Sequence, residues 1–316
     1  MNKKYSIAIH GGAGTIDLAT LSQDVIDEVH QGLKDAVVAG ETILAQGGSA
    51  LDAVEAAVVV LENAPRFNAG YGACLTFEGH HELDAAIADG CSGDSGAVAN
   101  VRYRKNPVKV ARAVLSHTDH ILLGGEGAER FADELGFDRV TNESLTTDLR
   151  REHWETLQED RDNALQFENA FRFGTVGAVA CDRDGNLAAA TSTGGITNKR
   201  WGRIGDTPLP GAGNYAANDS CAVSCTGKGE YFIKHAVGHD LAARMRYLKQ
   251  PLKVAVREVL EGSLNYPNGA GGLIAVDNKG KLVVEYNSTG MYRGWKYEED
   301  STIYTGIEAE LTEHSV

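Results

Sequence analysis

Two pairs of short apolar runs, each pair folded about a polar turn, set the tightest limit on the shape of this chain. Thr175-Val176-Gly177-Ala178-Val179-Ala180-Cys181 and Leu187-Ala188-Ala189-Ala190-Thr191-Ser192-Thr193 flank Asp182-Arg183-Asp184-Gly185-Asn186. Gly272–Val276 and Lys281–Tyr286 flank Asp277-Asn278-Lys279-Gly280. Short apolar runs bounded by Asp, Asn and Gly read as antiparallel hairpins. The strand Cys221–Thr226 lies between the two hairpins, and Ser6–His10 is a further short β-prone run. The Asp182 turn has a faint likeness to a calcium loop. It lacks the EF-hand spacing and the closing Glu, so it reads as a turn.

Helical periodicity marks other stretches. Val25, Ile26, Val29, Leu33, Ala36, Val37, Ile43 and Leu44 fall on one face of a helix over 23–46, stopped by Gly47-Gly48. Ser49-Ala50-Leu51-Asp52 has the pattern of a capping box, in which Ser and a third-position acid satisfy free N–H groups. The helix it opens is apolar on most faces, hence buried, and Pro65 follows its end near Asn63. Further helices are expected at 107–117, 126–135 and 230–247, and a strand at Ile121-Leu122-Leu123. Antiparallel hairpins among helices predict a layered mixture of α and β around a mixed or antiparallel sheet. From 138 to 173 charge is dense, as in Arg150-Arg151-Glu152-His153 and Glu159-Asp160-Arg161-Asp162, which reads as an exposed linker with a solvated helix face over 148–160.

Composition narrows the function. The net charge of −14 repels phosphates, which argues against nucleic acid as a partner. No run approaches the roughly 18 apolar residues of a spanning helix. Glycines interrupt the N-terminal segment before a secretory signal could form. The cysteines number five, with no Cys-x-x-Cys pair, so they read as reduced thiols of a cytoplasmic protein. Glycine is the compositional outlier at 37 residues against 6 prolines, which points to tight turns and close backbone approaches.

Several common sites are absent. There is no Gly-x4-Gly-Lys-Ser/Thr phosphate loop, and no Gly-x-Gly-x-x-Gly in its strand–helix context. His81-Glu82 would begin a zinc HExxH, but Ala85 stands where the second histidine belongs. No Gly-x-Ser-x-Gly elbow exists. His10, at a strand-to-turn boundary, reads as structural, with catalytic base as the other option. What remains is threonine: Thr175 after Gly174, then Thr193, Thr197 and Thr226 in glycine-rich surroundings.

Taken singly these threonines carry little weight; their order does. The chain runs through His10-Gly11-Gly12-Ala13-Gly14, Phe67-Asn68-Ala69-Gly70-Tyr71-Gly72 and Gly174-Thr175-Val176-Gly177-Ala178-Val179. It continues through Thr191-Ser192-Thr193-Gly194-Gly195, Gly202-Arg203-Ile204-Gly205-Asp206 and Cys225-Thr226-Gly227-Lys228-Gly229-Glu230. This series resembles the plant-type L-asparaginase/isoaspartyl peptidase family of N-terminal nucleophile hydrolases over nearly the whole chain. The resemblance implies an α+β fold, a four-layer αββα sandwich, formed by 1–316 as one domain. It also implies autocleavage between Gly174 and Thr175, giving an α chain of 1–174, ending in the linker, and a β chain of 175–316. A threonine hydroxyl is a poor nucleophile without a base, and an N-terminal threonine carries its own in the α-amino group. With a pKa near ~7.7, that amine suits work at neutral pH.

By the same resemblance Thr175 attacks the side-chain amide or β-peptide carbonyl of an aspartyl substrate. Thr193 hydrogen-bonds the nucleophile and Asn68 lies near the same centre. Thr226 and the Gly227 N–H hold the oxyanion. Arg203 binds the substrate α-carboxylate and Asp206 its α-ammonium, assisted by Gly227 and Gly229. No organic cofactor is implied. A structural sodium ion is, held by the main-chain oxygens of Leu61, Glu62, Ala64, Phe67, Ala69 and Tyr71. Small-molecule partners follow (L-asparagine and β-aspartyl dipeptides), with self-association as a dimer of αβ protomers, no nucleic acid and no membrane. Lys228 departs from the family pattern, where Thr or His is common, and Asn214 stands at a variable spot, so substrate preference is open. A glycosylasparaginase-like amidase shares the frame, but the absent signal and odd cysteine count weigh against it. A non-catalytic binding protein on this fold would be favoured by broken Thr and Gly positions, and these are intact.

Overall fold

The computed structural model describes residues 4–159, 174–267 and 271–315. The larger sheet is built, edge to edge, from β13 (Leu311–Ser315), β12 (Thr302–Gly306), β11 (Gly290–Tyr297), β1 (Ser6–Gly14), β5 (Val176–Cys181), β6 (Leu187–Thr193), β2 (Leu83–Asp89), β3 (Ser95–Val101) and β4 (Leu122–Gly124). Its pairings are antiparallel except β3 with β4. The smaller sheet runs β10 (Leu282–Tyr286), β9 (Gly271–Asp277), β8 (Cys221–Gly227) and β7 (Asn214–Ala216), all antiparallel. Both expected hairpins form. In the first, Asp182 Oδ1 accepts from the N–H groups of Asp184 and Asn186, so the acid shapes a turn.

Strand alternation sorts the apolar residues into three buried clusters, one per interface between layers. Ile7, Ile9, Val176, Ala178, Ala188 and Ile87 face helices α1 (Gln23–Ala45), α2 (Ala50–Asn63), α3 (Pro107–His117) and α4 (Gly125–Glu134). Their neighbours Ala8, Val179, Cys181, Leu187 and Ala189 face the other way, against Ala222, Ile274 and Val276 of the small sheet. Beyond these, Cys221, Val223, Cys225, Leu273 and Ala275 meet α6 (Gly229–His235), α7 (Val237–Tyr247) and α8 (Leu252–Glu258). Strands β1, β5 and β6 are therefore buried on both faces. The order is helix, sheet, sheet, helix: the α+β sandwich of the N-terminal nucleophile hydrolases. A side chain the size of Ile7 contributes about 1.5–3 kcal/mol by such burial.

The helix caps follow the sequence. Ser22 accepts from Val25 N–H and Ser49 from Asp52 N–H. Asp52 itself turns to Arg112, at 3.1 Å. Two expectations need correction. The helix over 230–247 is broken at Ala236, which adopts a left-handed conformation (φ 47°, ψ 51°) between α6 and α7. The linker does not begin at 138: a 3-10 turn spans Asn142–Leu145 and α5 spans Asp148–Glu159, with Leu145, Arg150 and Leu157 buried. The Arg150 guanidinium donates to the carbonyls of Gly72 (2.5 Å) and Arg66 (3.4 Å), so carbonyl oxygens satisfy a cation that the sequence suggests is solvated. The rest of the expected linker, 160–173, lies outside the described residues. Among the described residues no helix is long and apolar enough to cross a membrane. Cys91 is exposed, and the other four cysteines are buried.

Candidate active site

Hairpin register makes the first contact. Val176 pairs with Ser192 across β5 and β6, which sets Thr175, one residue before β5, beside Thr193 at the end of β6. Thr175 Oγ1 and Thr193 Oγ1 lie 3.2 Å apart, and Thr193 Oγ1 also accepts from Gly195 N–H at 3.0 Å. Thr226 and Gly227 end β8 at the same end of the sandwich, on the other sheet. Thr226 Oγ1 accepts from Ala13 N–H at 3.1 Å, in the glycine-rich end of β1. Gly174 is wedged among these groups. A Cβ there would sit 2.5 Å from Thr226 Oγ1 and 3.0 Å from Ala13 N, so only glycine fits. Asn68 lies one step back: its Nδ2 donates to Gly195 C=O (2.7 Å), and its Oδ1 accepts from Cys74 N–H (2.8 Å). It pins the turn that follows Thr193.

Arg203 and Asp206 form the other half. They do not pair with each other. Glu230 binds Arg203 through Nε (3.0 Å) and Nη2 (2.9 Å). Any side chain at Gly229 would meet both residues, 2.7 Å from Asp206 Oδ1 and 2.9 Å from Arg203 Nη2. Burial pushes the Asp206 carboxyl up to about 7, opposed by the Arg203 charge, and Asp206 Oδ2 is a buried atom with no hydrogen-bond partner. Burial also lowers the Arg203 pKa, but Glu230 more than offsets this and holds it above its ordinary value. A buried carboxylate oxygen without a donor is costly, and a cation arriving beside it would relieve that cost.

A family model described as asparaginase matches residues 3–305. This chain is a member of the asparaginase family. It is 48% identical to the isoaspartyl peptidase of Salmonella typhimurium, over 98% of this chain and 100% of that protein. It is 47% identical to the isoaspartyl peptidase of Escherichia coli K12, over 97% of each. It is 41% identical to the human isoaspartyl peptidase/L-asparaginase, over 97% of each.

For this asparaginase-family chain the structure brings Gly174, Thr175, Thr193, Thr226 and Gly227 together, with Asn68 behind Thr193 and Arg203, Asp206 and Gly229 in a second group. Sequence reasoning missed the carboxylates and the cation around that second group. Asp84, buried on β2 and paired in register with Thr193, has its carboxyl pushed up by burial and pulled back by Lys199 and Arg203. Lys199, its side chain fully buried, donates to Glu82 C=O at 2.9 Å. Asp84 did leave a signal, as one acid inside the apolar run Leu83-Asp84-Ala85-Ala86-Ile87.

Proposed function

We propose that this protein is a threonine hydrolase that cleaves isoaspartyl (β-aspartyl) dipeptides and L-asparagine, activated by cutting its own Gly174–Thr175 bond. The packing of that bond between the Thr193 and Thr226 hydroxyls carries the reading, and the isoaspartyl peptidase names of the relatives support it. In activation, Thr175 Oγ1 adds to the Gly174 carbonyl carbon. The C–N bond breaks, an ester remains, and water hydrolyses it to a Gly174 carboxylate and a free Thr175 amine. In turnover that amine takes the Thr175 hydroxyl proton as Oγ1 attacks the substrate carbonyl. The Thr226 O–H and Gly227 N–H receive the oxyanion, where one donor is typically worth about 10²–10³ in rate. The α-ammonium returns its proton to the departing amine or ammonia, and water then releases aspartate.

Arg203 takes the substrate α-carboxylate on its Nη1–Nη2 edge, because Glu230 occupies the Nε–Nη2 edge. Asp206 takes the α-ammonium. The stretch 61–71, the last turn of α2 and the turn after it, suits a hard cation such as sodium in offering carbonyl donors, those of Leu61, Glu62 and Ala64 also accepting from the N–H groups of Ala64, Tyr71 and Phe67. Leu61, Glu62, Ala64, Phe67, Ala69 and Tyr71 would hold the ion, which would stiffen the turn that carries Asn68. The same reading makes the protein a cytoplasmic dimer of αβ protomers, its cysteines, which form no disulfide, suiting a reducing compartment.

Intact mass after incubation at neutral pH tests the proposal. Wild type is expected as two chains, 1–174 and 175–316, with turnover of β-Asp-Leu. Thr175→Ala is expected as one inactive chain, and cleavage of that variant at the same bond would remove Thr175 from the role.

A further inference from the structure

Between the two sheets runs a line of buried polar side chains that the mechanism above leaves unused. Asn214 Nδ2 lies 2.9 Å from Thr191 Oγ1, which lies 2.7 Å from Ser224 Oγ. Ser224 Oγ lies 2.9 Å from His10 Nε2, and His10 Nδ1 lies 2.9 Å from the main-chain oxygen of Thr175. The Thr175 end sets the direction. A carbonyl only accepts, so His10 Nδ1 carries the imidazole hydrogen and Nε2 is bare. Ser224 therefore donates to Nε2, Thr191 donates to Ser224, and Asn214 donates to Thr191. Each hydroxyl has one hydrogen, so no bond in the line can reverse alone. Burial holds His10 neutral, its pKa lowered to about 3, against the opposing bond to Thr175.

The line crosses β5 at Gly177. A Cβ there would sit 2.0 Å from Ser224 Oγ and 2.5 Å from His10 Nε2, so the second glycine of Gly174-Thr175-Val176-Gly177 makes room for the His10–Ser224 bond. Ser224 also stands two residues before Thr226 on β8, and alternation puts both on one face.

We infer that His10 is a positioning residue for Thr175, clamping the nucleophile's own carbonyl and tying it, through Ser224, to the strand that carries the oxyanion donor. The inference rests on Thr175 being the nucleophile. Once Gly174 is cut away, Thr175–Val176 is the last peptide plane of the new chain end. Rotation of that plane swings the amine and Oγ1 away from the substrate together. His10 stops that rotation, and Ser224 keeps Thr175 in register with Thr226 across the gap between sheets.

The test joins kinetics to a measurement of the tautomer. A displacement near 1 Å costs on the order of 10² in rate, so His10→Leu is expected to lower kcat roughly 30- to 100-fold on β-Asp-Leu with KM within about threefold. His10→Asn places an amide N–H where Nδ1–H stood and is expected to return most of that kcat. Rates are taken per chain bearing an N-terminal Thr175, counted by mass. ¹⁵N-histidine NMR of wild type is expected to show His10 as the Nδ1–H tautomer, without titration from pH 5 to 8. Three results overturn the role: His10→Leu at full kcat, His10→Asn no better than His10→Leu, or an Nε2–H or titrating His10. If neither His10 variant matures, Ser224→Ala decides, with a kcat loss at unchanged Tm expected and full kcat overturning. Inactive wild type overturns the function and this role together, whereas active wild type with active His10→Leu overturns the role alone.

Discussion

Asp206 sits between two demands. Burial raises its carboxyl to about 7, yet the ammonium-binding role proposed for it requires the ionised form. The free enzyme is therefore expected to bind substrate better as pH rises through about 7, giving kcat/KM an acidic limb there. The Thr175 amine, as the base, adds an acidic limb of its own at about 7.7, so Asp206→Asn should reduce the limb from two protons to one and lower kcat/KM at pH 8, which a pH–rate profile on β-Asp-Leu checks. Gly174 makes a second residue-scale case. Its alanine variant would bring a methyl 2.5 Å from Thr226 Oγ1. Strain of about 1–3 kcal/mol at such a site slows precursor cleavage about 5- to 150-fold, read from a time course of intact mass.

At the scale of elements, the β5–β6 hairpin does most to build the site, because its pairing brings Thr175 and Thr193 together without help from distant chain. That much was legible in the sequence: two runs, one turn and a register follow from alternation and turn chemistry. The break between α6 and α7 was not. The apolar pattern continues across it, and Ala236 adopts a left-handed conformation with nothing in its side chain to announce it. Left-handed alanine costs about 1–2 kcal/mol, and glycine gives back about 0.5–1 in chain entropy. Ala236→Gly is thus expected to stabilise the protein by about 0.5–1 kcal/mol, a rise of roughly 1–4 °C in Tm by calorimetry, with kcat unchanged.

For the molecule as a whole, helices cover one face of the large sheet and the second sheet covers the other, so polar groups between layers are fully desolvated. Glu62 shows the consequence. Burial pushes its carboxyl up to about 8, against the hydrogen bonds from Ser192, Asn106 and Val108. The folded protein thus binds this proton more tightly than the unfolded chain, whose ordinary value is 4.5. The stabilising contribution is full below that value and is lost as pH rises through about 8. Asp206 has the same sign over 3.8 to about 7. Tm is expected to fall between pH 6 and pH 9, and Glu62→Gln should flatten part of that slope in a thermal-shift series.

Periodicity and turn residues determined the hairpins, most helices and the layered class, because each depends on neighbours in the chain. The ordered threonine and glycine motifs likewise determined the family and pointed to the first half of the candidate site. Tertiary structure alone decided that Glu230, not Asp206, pairs with Arg203, that carbonyls hold Arg150, and that Asp84 lies near Lys199 and Arg203. It also decided that His10 and Ser224, far apart along the chain, meet across a glycine. Such contacts join residues from different layers, and local sequence carries no record of what a fold will place opposite a given side chain.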